Sequence, residues 1–171
     1  MDPILSRRSV RKFDLDKKIP YDDLVELCKV AESAPTARKQ KSRRYVIIEN
    51  KEIILELSKI YTKSTMRVEE CNQMIAIIGI NPDNLPCPDF EVIDLSCAAE
   101  NIMIKATEKG IGSVILGTYP SKDRYIPANK LLDIQNGDFV FAFICLGYPI
   151  DKDSFYDSNK FDIRLVTHIK E

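Results

Sequence analysis

Met74-Ile75-Ala76-Ile77-Ile78-Gly79-Ile80 and Phe139-Val140-Phe141-Ala142-Phe143-Ile144-Cys145-Leu146 decide the fold. Each run is apolar without interruption, yet only as long as a strand. Successive strand residues point to opposite faces, so such a run is stable only where both faces are covered. Both stretches are therefore read as central strands, and helices are required on either side of them.

Working outward, residues 24, 25, 27, 28, 30, 31 and 34 recur at helical spacing between Pro20 and Pro35, predicting a helix over 21–34. Residues 44–49 read as a strand, 51–61 as a helix, 113–116 as a short strand and 121–132 as a weakly patterned helix. The longest helix is expected over 91–109, with Gly110 placed to end it. Its middle, Ser96-Cys97-Ala98-Ala99, is small-sided, which fits either ordinary core packing or close approach of another helix. The sum is an α+β (α/β sandwich) domain: a central mixed sheet wrapped by helices. The chain has 171 residues, 44% of them hydrophobic and 30% charged, enough for one domain spanning 1–171. No repeat or linker divides it.

The formal charge is −1, so no overall field draws the chain to nucleic acid or an anionic membrane. The charge is uneven, because residues 1–44 hold 12 Lys/Arg against 7 Asp/Glu. Five cysteines, without a CxxC pair, suit reduced thiols and a cytoplasmic location. The N-terminus turns charged by Arg7 and no apolar run exceeds strand length, so neither a leader nor a membrane span is expected. With a single histidine, His168, imidazole-based zinc sites and His triads are improbable. No carboxylate pair or activated nucleophile stands out, so an enzyme here would borrow its reactive atom from a cofactor.

Two basic clusters remain. Arg7-Arg8-Ser9-Val10-Arg11-Lys12-Phe13 offers two arginines four apart with a serine between, a set that can grip one phosphate by charge-assisted hydrogen bonds or simply be a solvated helix end. Lys12 lies outside the alternating 7, 9, 11 pattern. Arg38-Lys39-Gln40-Lys41-Ser42-Arg43-Arg44 carries five cations in seven residues. It reads as a solvated loop, a nucleotide-cofactor contact or, with no aromatics interleaved for base stacking, a weaker RNA-binding run.

In order along the chain, RRSVRKF, Ser33-Ala34-Pro35-Thr36-Ala37, Asp94-Leu95-Ser96-Cys97-Ala98-Ala99-Glu100-Asn101-Ile102, Gly110-Ile111-Gly112-Ser113 and Leu146-Gly147-Tyr148-Pro149 together resemble the FMN-dependent nitroreductase family. The resemblance implies an intertwined homodimer with the small-sided helix at its interface. It also implies FMN as cofactor, NADH or NADPH as reductant, and ping-pong transfer of hydride to an electron-poor small molecule such as a nitroaromatic or quinone. Under it, Arg7, Arg8, Ser9 and Arg11 would hold the phosphate and ribityl chain. Pro35, Thr36, Ala37 and Lys39 would border the isoalloxazine, and the backbone of Leu116-Gly117-Thr118 would face its redox edge. Lys160 would add a C-terminal cation, with Arg164 as its competitor. No nucleic-acid or membrane partner is implied. The chain departs from the family's usual Asn-x-Gln-Pro-Trp continuation, placing Lys39 and Lys41 where Asn and Gln are expected and Ser42-Arg43 for Pro-Trp. That departure leaves open a related flavin enzyme, for flavin destruction or dehalogenation; a non-catalytic flavin carrier or sensor of the same fold is a separate alternative.

Overall fold

The computed structural model describes residues 2–62, 67–158 and 160–170. Its elements in chain order are α1 (Pro3–Ser6), α2 (Tyr21–Glu32), β1 (Arg43–Ile48), α3 (Lys51–Ile60), β2 (Gln73–Gly79), α4 (Glu91–Glu108), β3 (Gly112–Gly117), α5 (Lys122–Leu131) and β4 (Phe139–Gly147). The sheet order is β1-β2-β4-β3, so the two uninterrupted apolar runs are its central strands. All three ladders are antiparallel, and the parallel component of the expected mixed sheet is reduced to a single bridge, Ser9 to Ser113.

Both faces are covered by different elements. Ile75, Ile77, Ile144 and Leu146 pack under Leu24, Leu27 and Ala31 of α2 and Leu95, Ala98 and Ile102 of α4. Met74, Ala76, Phe143 and Cys145 face Ile54 and Leu57 of α3, Ala128 of α5, and Val10 and Phe13 of the N-terminal segment. Ala98 and Ala99 are thus spent within the chain's own core, where their small size lets α4 lie close to α2 and the sheet, while Ser96 is exposed. The helix ends as its sequence suggests. Gly110 adopts φ 71°, the Ile111 N–H reaches Ala106 C=O at 2.8 Å and the Gly110 N–H reaches Thr107 C=O at 3.0 Å, a Schellman closure.

Two details position the site. The pairing of β2 with β4 slips between Ile77–Ala142 and Ile78–Val140, leaving Phe141 as a bulge. The Phe141 carbonyl accepts the N–H groups of both Thr118 and Tyr119 at 3.0 Å, so the extra residue fixes the turn that leaves β3. At the other end, the segment 9–14 is strapped across β3 and β4: the Val10 N–H donates to Ser113 C=O at 3.0 Å and the Asp14 N–H to Tyr148 C=O at 2.8 Å. The strap lies so close that a Cβ on Gly112 would sit 2.8 Å from Val10 Cγ1, and one on Gly147 would sit 2.8 Å from Phe13 Cβ.

The first turn of α4 holds two buried carboxyls, Glu91 and Asp94. Burial, followed by the neighbouring charges of Asp94 and Asp138, pushes Glu91 up from 4.5 to about 7. The folded state therefore keeps a proton that the unfolded chain has released, and this contribution to stability is full below about pH 4.5 and lost as pH rises through about 7. Glu91→Gln should shrink the fall in stability between pH 5 and 8, by about 1–3 kcal/mol, as read by urea denaturation at each pH. Gly112→Val should lower unfolding free energy by about 1–3 kcal/mol through overpacking against Val10, checked by the same denaturation at fixed pH.

Candidate functional site

The strap carries the first basic cluster to the edge of the sheet, but not with equal roles for its members. The Arg7 side chain turns to α4 and pairs with Glu100 at 2.9 Å. Arg8 lies over the Tyr156 ring, its Cζ 4.6 Å from the centroid, and donates through Nη1 to the Arg7 carbonyl. Its Nε and Nη2 are buried without a partner among the described residues. Leaving charged donors buried and unpaired costs about 1–3 kcal/mol or more, which an anion placed between them would recover. Beside them lies a cleft of about 260 Å³ walled by Arg8, Ser9, Arg11, Lys12 and Ser154, with Asp151 the one carboxylate on its wall. Arg11 is exposed and donates to the Ser9 carbonyl at 3.1 Å. Lys12, expected to stand apart, shares this wall. Ser113, which the strap bridges, has a buried hydroxyl with no partner among the described residues.

The second cluster is divided by the fold. Arg43 is nearly buried and caps the end of α2, donating to the carbonyls of Ala31, Ala34 and Glu32 and pairing with Glu32 at 3.3 Å. Arg44 pairs with Asp138 at 3.2 Å. Arg38, Lys39 and Lys41 remain exposed. The turn that presents them is held from beneath by Asp94, whose carboxylate accepts the Ala37 N–H at 3.0 Å, Gln40 Nε2 at 2.7 Å and the Ser42 hydroxyl at 3.0 Å. Gln40 also clasps Cys87 through both its carbonyl and its N–H. Within this clamp Arg38 and Lys39 take φ of 49° and 58°, left-handed values that cost non-glycine residues about 1–2 kcal/mol each. Pro35, Thr36, Lys39 and Lys41 line a cleft of about 410 Å³, while Ala37 lies outside its lining, fastened to Asp94.

Of Leu116-Gly117-Thr118, only Gly117 opens outward, with nothing within 4 Å of where a Cβ would stand. Leu116 points into the core. The Thr118 N–H is taken by Phe141, and its hydroxyl meets that of Tyr61. The burden of facing a ligand therefore falls on Gly117, whose carbonyl receives Arg124 Nη1 at 3.0 Å. Ser113 and Gly117 stand at opposite ends of β3, about 13 Å apart at strand rise. Lys160 lies exposed on the tail beyond β4, outside the walls of the arginine cleft, and Arg164 is occupied by Asp162 at 2.8 Å. Asp94, Glu100 and Tyr156 were not singled out as site residues in the sequence. Asp94 and Glu100 look like any helix carboxylates until the neighbouring basic turn and strap are folded onto α4. Among the described residues no group of His, Cys, Asp and Glu is placed to hold a metal, and no helix is long and apolar enough to cross a membrane.

Comparison with known proteins places the chain in a family. The nitroreductase family model matches residues 4–79 and 83–148. A candidate NADH dehydrogenase/NAD(P)H nitroreductase of Archaeoglobus fulgidus is 31% identical over 156 residues, covering 91% of this chain and 88% of that protein. The crystal structure of a candidate NADH oxidase from Clostridium acetobutylicum superposes with a TM-score of 0.88 at 26% identity, covering 99% of both chains. An FMN-dependent nitroreductase from Clostridium difficile shares the fold, with a TM-score of 0.87 at 23% identity and 99% coverage of both chains. With the family's pattern matched from the strap through the end of β4, the chain belongs to the nitroreductase family.

Proposed function

We propose that this protein is an FMN-dependent oxidoreductase that passes hydride from NADH or NADPH, by a ping-pong sequence, to an electron-poor small molecule such as a nitroaromatic or quinone. The observation that carries the reading is the pair of buried, unpartnered guanidinium N–H groups on Arg8, at a cleft whose other walls are Ser9, Arg11 and Lys12. These donors fit a phosphate monoester. The FMN dependence of the Clostridium difficile structure and the nicotinamide named for the Archaeoglobus relative support the same pair of cofactors.

On this reading Arg8, Ser9, Arg11 and Lys12 hold the phosphate, and Arg7 braces the strap through Glu100. Pro35, Thr36, Ala37 and Lys39 border the ring on a turn that Asp94 keeps from shifting. Gly117 leaves room for the ring at the far end of β3. Bound FMN supplies the redox chemistry, accepting and releasing two electrons and a proton. The chain's own contribution is orientation and fixed positive charge, which favours negative charge developing on a bound ligand. This accounts for walls that carry cations and backbone groups rather than a histidine or a paired acid and base.

We further propose a homodimer in the cytoplasm. Ile4, Leu5, Phe90, Val92 and Ile93 are exposed around α1 and the start of α4, and Phe161, Ile163, Leu165 and Ile169 are exposed along the tail. Apolar surface on this scale calls for a covering partner, and a second copy of the chain supplies one by symmetry.

The purified protein should be yellow and release FMN, and anaerobic NADH or NADPH should bleach it, with an electron-poor acceptor restoring the colour. Light scattering should give about twice 19.5 kDa. A colourless preparation that takes up no added FMN would overturn the cofactor reading, whereas a bound flavin indifferent to both nicotinamides would point to a carrier.

A further inference from the structure

The cleft beside the 37–41 turn holds positive charge for which the flavin reading, with the uncharged ring beside Lys39, provides no anion. Its wall cations are Lys39, Lys41 and Arg43, against a single carboxylate, Glu32. Glu32 is already committed, to Arg43 at 3.3 Å and to the Tyr45 hydroxyl at 2.8 Å. Asp94 lies behind the wall with its oxygens filled by Ala37, Gln40 and Ser42. The side chains of Lys39 and Lys41 make no hydrogen bond or ion pair among the described residues. Arg38, exposed beside them, adds a third cation without an ion pair among the described residues.

These cations do not hang on a loose loop. Asp94 and the Gln40–Cys87 clasp fasten the turn on both sides of Lys39, and the backbone at Arg38 and Lys39 is held in the left-handed region. A strained conformation kept in place by buried polar anchors marks positions where presentation of the side chains matters. Cations fixed in advance also bind an anion at lower entropic cost than lysines on a mobile segment.

We infer that this cleft is an anion subsite for a substrate, taking a phosphate or carboxylate group that the substrate carries away from its reacting end. The placement of a substrate here rests on the flavin reading; the affinity of the cleft for an anion does not. Two sources of that anion are possible: the 2′-phosphate that distinguishes NADPH from NADH, or an acidic group on the electron acceptor.

The test is calorimetric titration of the purified protein at low salt with two matched pairs of probes. Adenosine 2′-monophosphate is compared with adenosine, and 4-nitrobenzoate with 4-nitrobenzamide. The anionic member of at least one pair should bind about tenfold more tightly, the scale of one charge-assisted contact. That preference should collapse in Lys39→Gln/Lys41→Gln, whose substitutions at exposed positions leave the buried anchors intact. Which pair shows the preference identifies the source. Equal binding within both pairs, or a preference that survives the double substitution, overturns the proposal. If the protein proves colourless and indifferent to FMN but still discriminates within a pair through these lysines, the flavin reading fails while the anion subsite stands.

Discussion

Everything in this structure follows from the absence of a polar face on β2 and β4. Seven consecutive residues of one and nine of the other are buried, so the sheet cannot rest with one side in water, and the chain must supply two covers. Helices α2 and α4 form the first. The second is composite, made of α3, α5 and the N-terminal strap, because α3 and α5 leave the β3 end of that face to Val10 and Phe13. The strap that carries the arginines is therefore a structural part of the core, seated where Gly112 and Gly147 have no side chain to keep it away. The proposed phosphate grip and the closure of the core share the same seven residues.

This explains which parts of the molecule were legible in its sequence. The central strands were, because an unbroken apolar run has one physical meaning at strand length. The helix over 91–109 was, because its period and its closing glycine agree. The antiparallel pairing of the whole sheet was not, since a run buried on both faces looks the same in either direction. Nor was the bulge at Phe141, which depends on how two distant strands align.

The candidate site was legible as a set of segments and less so as a set of atoms. RRSVRKF marks the strap correctly, but only the fold shows that Arg7 is drawn to Glu100 while Arg8 keeps free donors. The basic run at 38–44 likewise reads as uniform. Folding sorts it into a helix cap at Arg43, a surface pair at Arg44 and free cations at 38, 39 and 41, because Asp94 lies beneath the turn. A buried carboxylate in the first turn of a helix gives no sign in one dimension of which loop it will hold. The same limit applies to Leu116-Gly117-Thr118, where the bulge takes up the Thr118 N–H.

The central claim is that the unpaired donors of Arg8 exist to receive the phosphate of FMN. It is tested most directly by titrating flavin-free protein with FMN and with riboflavin, which lacks the phosphate, for the native chain and for Arg8→Ala. FMN should bind the native protein at least about tenfold more tightly than riboflavin, and Arg8→Ala should lose most of that advantage while its riboflavin affinity is retained. A misfolded variant would lose both ligands together and so be recognised. Equal affinity of native protein and Arg8→Ala for FMN, with the preference over riboflavin intact in both, would contradict the account.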